Sequence, residues 1–300
     1  MAALQWERKF KLIFGDRTKP KEAMVITDPA QLTFDVSKST DQKKSPNSAA
    51  IELFNLSDEE LRKLESAPLI SFAFECGYEA VGTKLLFLGN VVECSTRKHG
   101  NDWVTQLVTG EGYKELNESA LKKSLPPGTK VEDVVEEIRK QMPNVSRGAF
   151  TGTNLSSPIP YGYQVKGSPQ EALKRLSQEY GLEYSIDRGQ LNVGDSGGSS
   201  VKESEYKKKA FLLNEDTGLF DSPFYVFEDD KEADKSIKKK VKSIQLKATL
   251  NVDIVPGTYI RVSSRLINGW YRVTHCRYSG DYRGEWLMEI KADIIKEDVK

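Results

Sequence analysis

Few residues in this 300-residue chain have the types and spacing that chemistry needs. Gly194-Asp195-Ser196-Gly197-Gly198 matches the nucleophile string of serine proteases. That reaction requires a histidine base held by a buried aspartate. The only upstream histidine is His99, between Lys98 and Gly100 in a turn-like context, and the string itself reads as linker. His275 and Cys276 are adjacent in a strand-like run, so their side chains face opposite ways and do not readily share a metal. No second pair stands at zinc spacing. Gly110-Glu111-Gly112 opens like a dinucleotide loop but lacks the third glycine and the unit that follows it. Asp28, Asp35, Glu75 and Glu93 are the acids a glycosidase cleft would draw on. Their spacing does not bring them together, and solvated acids are the plain reading. Trp6, Trp103, Trp270 and Trp286 offer stacking surfaces. Trp103 and Trp286 lie in alternating runs and read as core, and Trp270 reads as interface. The expectation is a non-enzyme with no catalytic residue, no metal ligand and no cofactor.

Composition narrows the class. The chain carries 44 Lys and Arg against 44 Asp and Glu. A zero balance argues against a dedicated nucleic-acid binder, whose affinity comes largely from phosphate neutralisation. Cys76, Cys94 and Cys276 are odd in number and widely spaced, so packed thiols in a reducing cytosol are expected. Met1–Gly15 lacks the apolar stretch of a signal peptide. No apolar run approaches the ~20 residues that cross a bilayer. A soluble protein without an encoded address is expected.

The elements follow from periodicity. Leu246, Ala248, Leu250, Val252 and Ile254 alternate with Gln245, Lys247, Thr249, Asn251 and Asp253, the pattern of a half-buried strand. Trp286, Met288, Ile290 and Ala292 repeat it, as do Ile70, Phe72, Phe74 and Cys76. Further strands are expected at Phe10–Phe14, Leu32–Val36, Ala49–Leu56, Lys84–Glu93 and Trp103–Thr109. Ser37–Ser48 reads as a flexible loop, and Gly89 as a bulge. Ser57 with Glu60 forms a capping box, stapled by Leu56 and Leu61 and ended by Pro68.

The middle changes period. Thr129 and Glu132 predict a second capping box before Val131, Val134, Val135 and Ile138. Ser168, Pro169 and Glu171 open a helix whose inner face is Ala172, Leu173, Leu176 and Tyr180, stopped at Gly181. Leu182, Tyr184 and Ile186 then form a hairpin with Leu191 and Val193 around Asp187-Arg188-Gly189. Residues 152–163 are expected to connect, and 194–209 to link. Asn268-Gly269 predicts a two-residue turn between Tyr259–Arg265 and Trp270–Tyr278. Ser279-Gly280-Asp281 predicts the next reversal, and Lys231–Lys242 an exposed loop or edge. This sets domains at 1–113, 114–193 and 210–300, with 194–209 between the last two.

One further pattern carries a resemblance. Ser45-Pro46-Asn47-Ser48-Ala49-Ala50-Ile51-Glu52-Leu53-Phe54-Asn55-Leu56-Ser57 resembles the first β-domain of baseplate hub proteins of contractile-tailed bacteriophages. Leu86–Val91, Asp102-Trp103 and Gly110-Glu111-Gly112 follow in the family's order. Thr217-Gly218-Leu219, Pro256-Gly257, Gly269–Val273 and Ser279-Gly280-Asp281 resemble its closing domain. Phe220-Asp221-Ser222-Pro223 and the charged run after it depart from the pattern.

The resemblance implies an α+β, mainly β fold in which two tail-tube-like β-barrels flank a small α/β domain. It implies a homotrimeric ring with pseudo-sixfold symmetry at the virion tail baseplate, assembled in the host bacterial cytoplasm. That hub would join the hexameric tail tube protein to the trimeric spike protein. The tape-measure protein and other baseplate proteins are the further partners implied. No membrane is engaged in the resting state, and DNA passes through the lumen without specific binding. A hub of a phage-derived contractile particle fits equally. The alternatives are a tail-tip cell-envelope hydrolase built on converging acids, and a nucleic-acid module using Lys231–Lys242 and Trp270.

Overall fold

The computed structural model describes residues 7–17, 19, 22–44, 46–67, 69–198, 203–229 and 240–295. The first third holds β1 (Arg8–Phe14), β2 (Met24–Thr27), β3 (Leu32–Ser39), β4 (Ser48–Phe54), α1 (Asp58–Ser66), β5 (Ser71–Tyr78), β6 (Gly82–His99) and β7 (Asp102–Gly110). The middle holds α2 (Tyr113–Asn117), β8 (Leu121–Leu125), α3 (Val131–Arg139), β9 (Ser146–Thr151), β10 (Tyr163–Gly167), α4 (Pro169–Tyr180), β11 (Leu182–Asp187) and β12 (Gln190–Asp195). The last third holds α5 (Glu203–Lys209), β13 (Phe211–Leu213), β14 (Phe224–Asp229), β15 (Lys240–Thr249), β16 (Tyr259–Ser263), β17 (Asn268–Asp281) and β18 (Leu287–Ile294). The fold is β-rich α+β, as expected.

The outer thirds do not form two separate sheets. One sheet runs β14-β15-β18-β17-β3-β4-β7-β6-β5-β1-β2, with β16 and β13 attached beside β17. Among the described strands this path does not close on itself. The join is antiparallel pairing of β17 with β3, from His275↔Ser39 to Asp281↔Thr33. Side-chain alternation then lays one apolar surface across the join. Leu32, Phe34 and Val36 from β3 share a core with Tyr278, Met288 and Ile290. The middle third packs its own core, in which Val131, Val134, Val135 and Ile138 of α3 meet Leu173 and Leu176 of α4 and Tyr184 of β11.

Two helix starts are as read. Ser57 and Ser168 each accept from the third-residue backbone N–H, and Glu60 and Glu171 return the bond. Pro169 opens α4, and Gly181 ends it at φ 63°. The third differs: α3 is capped by Lys130 without a side-chain bond, because the Thr129 hydroxyl donates to the Pro126 carbonyl instead, at 2.7 Å.

The turns in the last third also differ from the expectation. Asn268 already pairs with Ser263, so the reversal is the four-residue loop 264–267. Ser264 closes it, its backbone N–H donating to the Ile267 carbonyl at 3.1 Å and its hydroxyl accepting from Ile267 N–H at 3.1 Å. Ser279-Gly280-Asp281 lies within β17. Gly280 is there for packing: a Cβ would stand 2.3 Å from Trp286 Cδ1 and 2.8 Å from the Phe34 ring. Gly89 likewise is no bulge. A Cβ there would stand 2.2 Å from the Gly110 carbonyl oxygen, and the register shifts lie on either side of it. The alternation at 246–254 leaves the ladder after Thr249. Leu250, Val252 and Ile254 stay buried, Leu250 with its N–H donating to Trp286 O and the other two in the 251–254 turn closed by Ile254 N–H donating to Asn251 O.

The expected linker is half structured. Gly194 and Asp195 end β12, and 203–209 form α5, pinned by Tyr206 at 1% exposure against Tyr259 and Trp270. The 152–163 connection is packed through buried Leu155 and Ile159. Of the expected lysine-rich loop, 231–239 lie outside the described residues, and Lys240 already belongs to β15. Trp6 lies outside them too.

Candidate functional site: a buried polar joint and a repeated sheet

The reactive-looking residues are dispersed. Asp195 is consumed structurally, accepting from Thr153 N–H at 2.9 Å and Asn154 N–H at 3.2 Å. Ser196 is exposed, and its N–H is held by the Gly181 carbonyl. His99 is exposed at the end of β6, and no hydrogen bond links it to either. Asp28 pairs with Lys9, Glu75 with Arg17, and Asp35 with Arg277 in a two-pronged contact of 2.9 and 2.5 Å. Glu93 is exposed on β6. Among the described residues no group of three or more His, Cys, Asp or Glu is placed to hold a metal. His275 contacts the Ser37 hydroxyl at 3.0 Å on the outer face, while Cys276 is fully buried on the other. Burial pushes the Cys276 thiol up to about 12 and raises Cys76 further, so neither offers a thiolate.

Two tryptophans depart from the reading. Trp103 is 51% exposed although it shares the phase of Thr105, Leu107 and Thr109, because it stands at the open end of β7, beyond the core. Trp270 is not an open surface. Tyr206 lies 5.6 Å away, and the cations of Arg261 and Lys207 sit 5.2 and 5.7 Å from its ring centre. Trp286 is core, 5.2 Å edge-on to Phe34, with its indole N–H donating to Asp281 O.

What the structure does bring together is a polar cluster between the large sheet and the middle third. The stretch expected to be a flexible loop forms it. Lys38 continues the inward phase of Leu32, Phe34 and Val36, and is fully buried. Its ammonium lies 2.5 Å from Asp187 and 3.4 Å from Glu111. Glu111, also fully buried, accepts from Arg188 N–H at 2.7 Å and Asn47 Nδ2 at 3.0 Å. Asn47 Nδ2 also donates to Ile186 O, and Asn47 Oδ1 accepts from Ser39 N–H. Gln42 N–H donates to Tyr184 O, while Gln42 Oε1 accepts from Ile186 N–H. Lys43 donates to Leu182 O, and Arg272 pairs with Glu183 at 2.6 Å.

Gln42, Lys43 and Asn47 thus bond along β11 as a short extra rung, which satisfies backbone groups that would otherwise be orphaned. Burial pushes the Glu111 carboxyl up to about 7, against the pull of Lys38. Burial also works to raise Asp187, but the charges of Lys38 and Arg188 outweigh it and hold that carboxyl below its ordinary value. The cluster makes a rigid, neutralised joint. The sequence offered a signal for it: a lysine on the core phase of a strand.

The second feature is repetition. In the first third β3-β4-β7-β6-β5 are neighbours, and in the last third β14-β15-β18-β17-β16 are neighbours, each set antiparallel throughout. In both sets the first two strands are consecutive in the chain, and the last three form consecutive hairpins that end beside the second. The longest strands, β6 and β17, hold the same place.

No family model matches the chain, and no curated protein matches it. Solved structures do. The tail protein from Neisseria meningitidis MC58 aligns with TM-score 0.64 at 10% identity, over 96% of this chain and 97% of that one. The 43 kDa tail protein of prophage MuSo2 from Shewanella oneidensis aligns with TM-score 0.64 at 10% identity, over 97% and 100%. The E. coli c3393 protein is a component of the type VI secretion system with structural similarity to the T4 bacteriophage tail proteins gp27 and gp5. It aligns with TM-score 0.61 at 14% identity, over 90% of this chain and 75% of that one. The chain therefore has the fold of phage tail proteins and of a type VI secretion component.

Proposed function

We propose that this protein is the structural hub of a phage tail baseplate, or of a phage-derived contractile particle. Three copies form a ring whose six matched sheet units give pseudo-sixfold symmetry. One end meets the hexameric tail tube protein and the other the trimeric spike protein. The tape-measure protein and other baseplate proteins are further partners, and DNA crosses the lumen without specific binding. Each outer third, with its attached strands, is one tube-like unit, and the protein turns over no substrate.

The observation that carries this reading is the repeated five-strand order fused into one sheet within a single chain. Two similar units per chain convert a threefold arrangement into six near-equivalent positions. The likeness in fold to tail proteins supports the same reading. Negative-stain electron microscopy of the purified protein tests it. Rings of three subunits with six similar lobes are expected; particles without threefold symmetry refute it.

A further inference from the structure

The repetition has an unfilled position. In the last third, β17 pairs through its first part with β16 and through its second part with β3, along one edge. In the first third, β6 pairs through its first part with β5, but among the described residues the matching edge of its second part, 92–99, has no strand beside it. The strand equivalent to β3 in the last third is β14, which ends the sheet, its outer edge unpaired among the described residues. Resting on the three-copy reading above, we infer that β14 of one copy pairs antiparallel with residues 93–99 of the next copy, repeating between chains the β17–β3 junction within the chain.

The register follows from the pairings. Both long strands carry one extra residue at the same place: Thr274 is skipped opposite β18, and Val92 opposite β7. His275 therefore corresponds to Glu93, and Lys291 to Val108. Lys291 pairs with Gln245 and Val108 with Ala50, so these two correspond. Gln245 pairs with Phe224 and Ala50 with Asp35, so Phe224 corresponds to Asp35. Within the chain Arg277 faces Ser37, Tyr278 faces Val36 and Ser279 faces Asp35. Between chains Ser95 then faces Val226, Thr96 faces Tyr225 and Arg97 faces Phe224.

Exposure agrees with a missing neighbour. Tyr278 and Val36 are both fully buried at the internal junction. Their counterparts differ: Thr96 is half-buried and Tyr225 is 37% exposed, although Tyr225 stands on the core phase. Phe224 is 55% exposed and Val92 40%. Unpaired edges with exposed apolar side chains are templates for strand addition. A head-to-tail contact of this kind closes into a ring when its rotation permits.

Cysteine cross-linking of the full chain tests the register. In a Cys94→Ser background, one variant carries Ser95→Cys with Val226→Cys and another carries Thr96→Cys with Tyr225→Cys. Adjacent positions cover both kinds of antiparallel pair, with Cα separations of about 5.5 and 4.5 Å, inside disulfide range. Mild oxidation should give a reducible ladder ending at three chains for at least one pair. The off-register Ser95→Cys with Phe224→Cys should give none. In the unmodified protein, hydrogen exchange at residues 92–99 should slow on assembly. Trimers by light scattering with neither pair linked and no slowing overturn this junction and leave the three-copy reading standing. Links that stop at two chains overturn ring closure, and a wild-type protein that stays monomeric at every concentration overturns both.

Discussion

Replacing Lys38 by methionine keeps the aliphatic stem and removes the charge that two buried carboxylates share. Breaking a buried pair in this way costs about 3–5 kcal/mol, because the remaining charge is left uncompensated. Lys38 and Glu111 have no exposed side-chain surface, so solvent screening does not soften the loss. For a chain of this size that is a Tm drop on the order of 10 °C. The pH dependence separates this from simple loss of packing. Without Lys38 the nearest cation to Glu111 is gone, and its carboxyl, already raised to about 7, rises further. In acid it takes up a proton and the cost shrinks; in base it stays charged and the cost is full. The deficit of Lys38→Met should therefore grow from pH 5 to pH 8. Adding Glu111→Gln should recover a large part of it at pH 8, since contacting residues are non-additive. Urea denaturation followed by tryptophan fluorescence at both pH values reads all of this. A deficit under about 1 kcal/mol, or one equal at pH 5 and pH 8, would refute the reasoning.

Four further outcomes follow. In the wild type, Glu111 has a folded pKa raised above its unfolded value, so its contribution to stability is full below the ordinary carboxyl range and lost as pH rises through about 7. Glu111→Gln should flatten that slope in Tm measured from pH 5 to pH 8. Asn47→Ala removes donors to Glu111 and Ile186 and the acceptor for Ser39; it should cost about 2–3 kcal/mol and speed proteolysis between the middle third and the large sheet. Gly280→Ala forces a Cβ into Trp286 and should lose about 1–3 kcal/mol, with a red shift in tryptophan emission. Tyr206→Ala removes the anchor of α5 and should expose 203–209 to limited trypsin digestion without altering the secondary structure seen by circular dichroism.

Much of the fold was legible because alternation reports one buried face. Leu32, Phe34 and Val36, or Met288, Ile290 and Ala292, could only be inward rows, and Ser57 and Ser168 marked helix starts through local bonds. What was not legible depended on partners distant in sequence. Asn268-Gly269 is a strong local turn signal, yet Ser264 closes the loop earlier. Ser37–Ser48 has the composition of a solvated loop, but its polar groups bond to the backbone of β11, far along the chain. Nothing local tells a lysine in water from one facing Glu111 and Asp187, except that Lys38 keeps the phase of the strand before it. The fusion of the outer thirds was invisible for the same reason. β3 and β17 each read as an ordinary strand, and their pairing spans most of the chain.

The central claim is that one chain supplies two matched sheet units and three chains complete six. Light scattering with electron microscopy on the purified protein measures this directly. The account predicts a mass of three chains and a closed ring whose six lobes are alike in size. A single-chain mass at all concentrations, with and without a trimeric spike partner, contradicts it.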